Sequence, residues 1–141
     1  MAASISEDTI EIVLALKEEG NKAFKEQNYI LAAEVYSKAI DEQRKTAGNE
    51  QSAILFSNRA ATYLKTLNYT ECVNDCNSAL EIDPSALKAY YRRAQAYSAL
   101  GDLIKAYSDL NLIIRMDPKK ADAINLMRTV KAGKYACMRY E

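Results

Sequence analysis

A chain of 141 residues with 49% hydrophobic and 27% charged side chains has the make-up of one ordinary soluble domain. Its 19 basic and 19 acidic residues cancel, which excludes a global attraction to nucleic acid or to an anionic membrane and leaves local clustering as the only source of electrostatic function. Four glycines and two prolines are too few for the tight turns of an all-β fold, so the expected class is all-α.

Apolar residues recur at helical spacing in successive stretches separated by short polar breaks. The first helix is expected over 6–27, with Ser4-Ile5-Ser6-Glu7 as its capping box. Gln27-Asn28 breaks the pattern, and a second helix follows over 30–46. A third spans 52–66, Leu67-Asn68 interrupts, and a fourth spans 70–82 up to Asp83-Pro84. A fifth helix over 86–99, a break at Gly101-Asp102 and a sixth helix over 103–116 repeat that arrangement. Pro118 opens a seventh helix ending at Gly133, whose Ile124, Leu126, Met127 and Val130 cover the apolar end of the stack. Residues 134–141 form a tail.

The order is periodic. Ile82-Asp83-Pro84 and Met116-Asp117-Pro118 are one phrase 34 residues apart, and the same shift lays Tyr63 on Tyr97, Ala60 on Ala94 and Phe56 on Tyr90. An offset of 40 brings an upstream copy into line, with Leu16 on Phe56, Gly20 on Ala60, Tyr29 on Tyr69, Ala32 on Cys72 and Tyr36 on Cys76. The extra residues of that copy fall near Arg44 to Gln51 and are expected to lengthen its second helix and loop. A small residue at Gly20, Ala60 and Ala94 implies close approach of the paired helix. Each copy is therefore a helical hairpin, with repeats at about 13–52, 53–86 and 87–120 and a cap at 119–133, all in one domain over 1–133.

The longest apolar run, Ile12 to Leu16, is far short of the roughly 20 residues of a membrane helix. The acidic start at Glu7 and Asp8 does not read as a secretory signal, and Cys137 is misplaced for prenylation. Three cysteines cannot all pair, so reduced thiols and a cytoplasmic location are expected. Cys72 and Cys76 lack a His or a second close thiol pair to complete a metal site, and packing is the better reading. Most tyrosines fall on repeat-packing positions. There is no His, no Gly-rich phosphate loop and no nucleophile with a base, so neither an enzyme nor a cofactor is expected.

The period, the small residue, the aromatic positions and the Asp-Pro ending resemble the tetratricopeptide repeat over about 13–118. The usual Trp is replaced by Leu16, Phe56 and Tyr90, and the first copy lacks its terminal Pro. The resemblance implies a right-handed superhelical solenoid of three helix-turn-helix repeats plus the capping helix, with the first helices of the repeats lining a concave groove.

On those helices Lys17 and Asn21 share one face, Lys88 and Arg92 share another, and Asn58 and Arg92 occupy equivalent sites in successive repeats. Lysine point charges, a planar guanidinium and amide donors together suit a carboxylate, and these five residues are expected to converge on one pocket. The set, in Leu16-Lys17-Glu18-Glu19-Gly20-Asn21, Ser57-Asn58-Arg59-Ala60-Ala61 and Lys88-Ala89-Tyr90-Tyr91-Arg92-Arg93, is similar to the carboxylate clamp of co-chaperone tetratricopeptide domains. That resemblance implies an adaptor that holds the C-terminal Glu-Glu-Val-Asp of the 70-kDa and 90-kDa heat-shock chaperones. It also implies that Phe24 and Ala61, with Leu64 and Lys65 one turn further on, border a pocket for the penultimate Val. Arg59 and Arg93 point about 100° away from the clamp face and read as salt-bridge or flanking residues.

A monomer that links a chaperone tail to an unknown client or further domain is the resulting expectation. Two other readings exist: a scaffold that grips an internal segment of another protein, and a helical-repeat reader of single-stranded RNA. The second needs a basic, phosphate-tracking groove, against which the zero net charge argues.

Overall fold

The computed structural model describes the backbone of residues 2–46, 48 and 51–139, and the side chains of 7–46, 48 and 51–133. These form seven α-helices: α1 (Ala2–Lys25), α2 (Tyr29–Gln43), α3 (Ser52–Lys65), α4 (Tyr69–Ile82), α5 (Leu87–Leu100), α6 (Leu103–Met116) and α7 (Ala121–Arg139). Each packs on the next, and α1, α3, α5 and α7 also touch in succession, whereas the even-numbered helices do not touch one another. The result is a two-layered solenoid whose odd-numbered helices form the inner layer.

The three hairpin turns share one geometry. Gln27, Leu67 and Gly101 take the left-handed conformation at φ 62°, 63° and 84°. In each turn the next residue's N–H reaches back to a helix carbonyl: Asn28 to Ala23, Asn68 to Tyr63, and Asp102 to Tyr97, at 2.8–2.9 Å. The left-handed residue's own N–H bonds Phe24, Leu64 or Ser98, which completes a Schellman motif in every repeat. Asn28 and Asp102 then cap the following helix by accepting from Leu31 N–H and Lys105 N–H. The Asp-Pro phrases end the second helices. Asp83 Oδ1 accepts from the Ser85 hydroxyl and N–H, which hold its carboxyl below the usual range, and Asp117 Oδ1 accepts from Lys119 N–H.

The apolar core runs through the stack in three clusters. Val13, Tyr36, Ala39, Ile40 and Leu55 fill the first, Ala60, Cys72, Cys76 and Ala96 the middle, and Ala94, Leu110, Ile113, Met127 and Val130 the last. Cys72 and Cys76 are buried, unpaired thiols and act as small hydrophobes.

Two arginines stitch the layers together. Arg59 of α3 makes a bidentate ion pair with Asp75 of α4, both bonds 2.7 Å, and a third bond to Ser37 Oγ of α2 at 2.9 Å. Arg93 of α5 repeats this with Asp109 of α6, at 2.7 and 2.8 Å, and with Asn77 of α4 at 2.9 Å. Each guanidinium also lies over two rings, Phe56 and Tyr63 at 5.6 and 5.8 Å, or Tyr90 and Tyr97 at 5.5 and 5.8 Å. The salt-bridge role read for these arginines from their helical angle is the one observed. The first repeat has no such stitch, since Glu19 and Val35 stand where the second has Arg59 and Asp75.

Several boundaries differ from expectation. α1 begins at Ala2, so Ser4 lies inside the helix and does not cap it; the side chains of Ser4 to Ser6 lie outside the described residues. α2 ends at Gln43 and is not lengthened; the insertion forms the connection to α3. Buried Gln43 explains this stop, because its Nε2 donates to Thr46 Oγ1 at 2.6 Å and to the Gly48 carbonyl at 3.1 Å, folding the chain back onto the helix end. α7 starts at Ala121, not Pro118, and continues through Gly133 to Arg139, into the segment expected to be a tail. A glycine costs a helix only about 1 kcal/mol, and here a Cβ would come within 3.0 Å of Leu103 Cδ1.

Three outcomes are expected in urea or thermal unfolding. Arg59→Ala leaves the Asp75 carboxylate, 7% exposed, without its partner and should cost about 3 kcal/mol. At the turns, Leu67→Gly relieves a left-handed, exposed leucine and should stabilise, while Gly101→Ala should destabilise, each by up to about 1 kcal/mol.

Candidate functional site

The inner faces of α1, α3 and α5 expose residues at three- and four-residue intervals: Glu18, Asn21, Phe24 and Lys25; Asn58, Ala61, Leu64 and Lys65; Lys88, Tyr91, Arg92, Gln95, Ser98 and Ala99. Together they line a groove with two chambers. The smaller, about 220 Å³, lies among Glu18, Asn21, Tyr36, Asn58 and Arg92. The larger, about 670 Å³, extends past Leu64, Lys65, Tyr69, Lys88 and Tyr91 to Lys120, Asp122 and Leu126 at the start of α7. Phe24, Ala61 and Arg92 border both.

In the smaller chamber the amides are fixed in orientation. Asn21 Oδ1 accepts from the Tyr36 hydroxyl at 2.5 Å and from Asn58 Nδ2 at 3.4 Å. With its oxygen so occupied, Asn21 presents its Nδ2 as a donor, and Asn58 keeps its second N–H. Tyr36 is itself placed by Gly20, where a Cβ would lie 2.6 Å from the Tyr36 ring. Burial raises the Tyr36 hydroxyl pKa, so it stays protonated and donating at neutral pH.

Arg92 is unlike its neighbour Arg93. Its Nη1 donates to the Ser57 carbonyl and hydroxyl, both at 2.7 Å, and among the described residues it has no carboxylate partner. Burial therefore depresses its pKa, whereas Asp75 and Asp109 raise those of Arg59 and Arg93. A partly buried guanidinium that lines the groove with no carboxylate partner among the described residues is chemically suited to an anion.

The five residues expected in one pocket do not all meet. Asn21, Asn58 and Arg92 share the smaller chamber, Lys88 stands with Arg92 on the larger, and Phe24, Ala61, Leu64 and Lys65 all line the larger one. Lys17 borders neither chamber. Its Nζ donates to Gln51 Oε1 at 3.1 Å, a neutral acceptor just before α3, and among the described residues it forms no ion pair. Sequence reasoning missed Gln95 and Ser98, which a shift of Ala61 and Leu64 by 34 residues would have found. It also missed Lys120, Asp122 and Leu126, which belong to the cap and have no repeat copy to signal them. Tyr36, read as core, is buried at its ring, while its hydroxyl bonds Asn21 at the smaller chamber.

A family profile described as tetratricopeptide repeat matches residues 87–120, the span of α5 and α6. The first TPR of Spaghetti (RPAP3), solved bound to the HSP90 peptide SRMEEVD, is 31% identical with a TM-score of 0.81, covering 89% of this chain and 94% of that one. The chain belongs to the tetratricopeptide repeat family. Among curated relatives, protein unc-45 homolog B of Xenopus laevis is 38% identical over 112 residues, 79% of this chain. Mitochondrial import receptor subunit TOM34 of Mus musculus is 38% identical over 126 residues, 88% of this chain. The chain spans 12% and 40% of the length of these two proteins. Among the described residues of this tetratricopeptide domain, no helix is long and apolar enough to cross a membrane.

The tetratricopeptide contact at Gly20 gives a direct test. Gly20→Ala must displace the buried Tyr36 ring and with it the Asn21 amide, so it should lower stability by about 1–2 kcal/mol despite the better helix propensity of Ala. Urea unfolding measures the loss; a stabilised variant would show that the ring yields freely.

Proposed function

We propose that this domain is an adaptor that captures the C-terminal Glu-Glu-Val-Asp of a 70-kDa or 90-kDa heat-shock chaperone through a carboxylate clamp. The observation that carries the reading is Arg92, a partly buried cation without a carboxylate, set beside two oriented amides in a groove open to solvent. The SRMEEVD peptide on the similar RPAP3 domain supports it, since that ligand ends in the same residues.

A terminal Asp carries two carboxylates. Asn21, Asn58 and Arg92 receive one in the smaller chamber; Lys88, with Arg92, receives the other where the chambers meet. Lys17 exchanges the Gln51 amide for the ligand and adds a further positive charge. The penultimate Val packs among Phe24, Ala61 and Leu64, and Lys65 flanks it with its aliphatic stem. The work is recognition, not chemistry. It takes place in the cytoplasm, where the domain connects a chaperone to a client bound elsewhere.

Calorimetric titration with a Glu-Glu-Val-Asp peptide should give a Kd in the micromolar range, about −8 kcal/mol. Amidation of the peptide's C-terminus, or Arg92→Ala with Lys88→Ala, should each weaken binding by about tenfold or more, and added salt should weaken it further. Equal affinity for the amidated peptide would replace the clamp with a scaffold that holds an internal segment.

A further inference from the structure

The larger chamber has about three times the volume of the smaller one, and its far end is lined by residues of α7, which the repeat pattern assigns only a covering role. Lys120, the residue just before α7, and Asp122 and Leu126 of α7 line that end, together with Tyr91, Ser98 and Ala99 of α5. The charged residues around the chamber are Lys65, Lys88, Arg92 and Lys120 against a single acid, Asp122. None of the four cations forms an ion pair among the described residues. Asp122 lines the chamber together with Tyr91, whose hydroxyl pKa rises through burial and, to a smaller extent, through that carboxylate.

The chamber also has a direction. A ligand whose terminal carboxylate sits among Asn21, Asn58 and Arg92 leaves the smaller chamber past Phe24, Ala61 and Arg92, the residues common to both, and then runs toward α7. Adjacent packed helices lie about 8–10 Å apart. An extended chain advances about 3.3 Å per residue, so crossing from Arg92 on α5 to α7 takes about three residues.

We propose that α7 is part of the recognition surface: Lys120, with Lys65 on the other side of α5, reads an acidic side chain about three residues before the ligand's C-terminus, and Leu126 packs against the residue preceding it. This rests on the clamp reading above and extends it from the terminal pair to upstream selectivity. In a tail ending Glu-Glu-Val-Asp, the residue read is the first glutamate. Asp122 disfavours a second acid further upstream, which limits the preference to acidic residues near the terminus.

The test is calorimetry on the full chain with Met-Glu-Glu-Val-Asp and Met-Gln-Glu-Val-Asp peptides. Wild type should prefer the first by about fivefold at low salt, the scale of a solvent-screened charge pair. Lys120→Glu should remove that preference and weaken the first peptide by about fivefold or more. Lys38→Glu on the outer layer, which leaves the groove untouched, should bind as wild type. Lys65→Glu, an exposed site, provides a second reading should Lys120→Glu lose its helical spectrum. Wild type binding both peptides equally, or Lys120→Glu keeping the preference, would overturn the proposal and leave the clamp intact. No wild-type binding to either peptide would overturn the clamp reading and this one with it.

Discussion

The solenoid depends on a guanidinium held by two carboxylate oxygens between the inner and outer layers. Arg59 with Asp75, and Arg93 with Asp109, each join three consecutive helices, because the third bond of each arginine reaches back into the preceding hairpin. Dispersion and burial hold the apolar clusters together but are tolerant of sliding. A planar fork matched to a carboxylate is not, so these pairs set the register of one hairpin on the next. Desolvation raises the Asp75 carboxyl while Arg59 pulls it down, so the pair is bought at an electrostatic cost that favours geometry over raw stability.

That register is what separates the roles of two adjacent arginines. Arg93 faces the outer layer, where Asp109 neutralises it; Arg92, one residue earlier and about 100° around the helix, faces the groove and among the described residues bonds the neutral Ser57 and no carboxylate. The groove's binding potential is thus a product of helical phase. The same phase sets Asn58 beside Asn21, and Gly20 admits the Tyr36 ring that turns the Asn21 amide. A positioned donor set of this sort would lose little freedom on meeting the ligand proposed for it.

The repeat architecture was legible because a 34-residue recurrence of Asp-Pro, small and aromatic positions leaves a trace in one sequence, and that trace carries the inner-face positions with it. Asn21, Asn58, Lys88 and Arg92 could be placed in this way. The misjudged features are those without a periodic counterpart. The α2 terminus was set by a local bond network from Gln43, α1 continued upstream of its apparent cap, and α7 ran through a glycine that looked like a stop. Lys17, expected in the pocket from its helical spacing to Asn21, instead donates to Gln51, a residue from the insertion that has no periodic counterpart. The left-handed Gln27 and Leu67 were equally hidden, since only Gly101 shows in its residue type the backbone conformation that all three share.

The absence of an arginine stitch from the first repeat has a dynamic meaning. In a one-dimensional stack, each hairpin opens according to its own stability and its contacts with its neighbours. Amide protons of α1 and α2 should therefore exchange with solvent sooner than those of α3 to α6. Asn21 and Phe24 sit on that looser hairpin, while Asn58, Lys88 and Arg92 sit on the stitched ones. On the proposed clamp reading, a ligand spanning the groove would bridge a soft end to a firm middle, tightening the domain as it binds and giving up part of its affinity to order in α1.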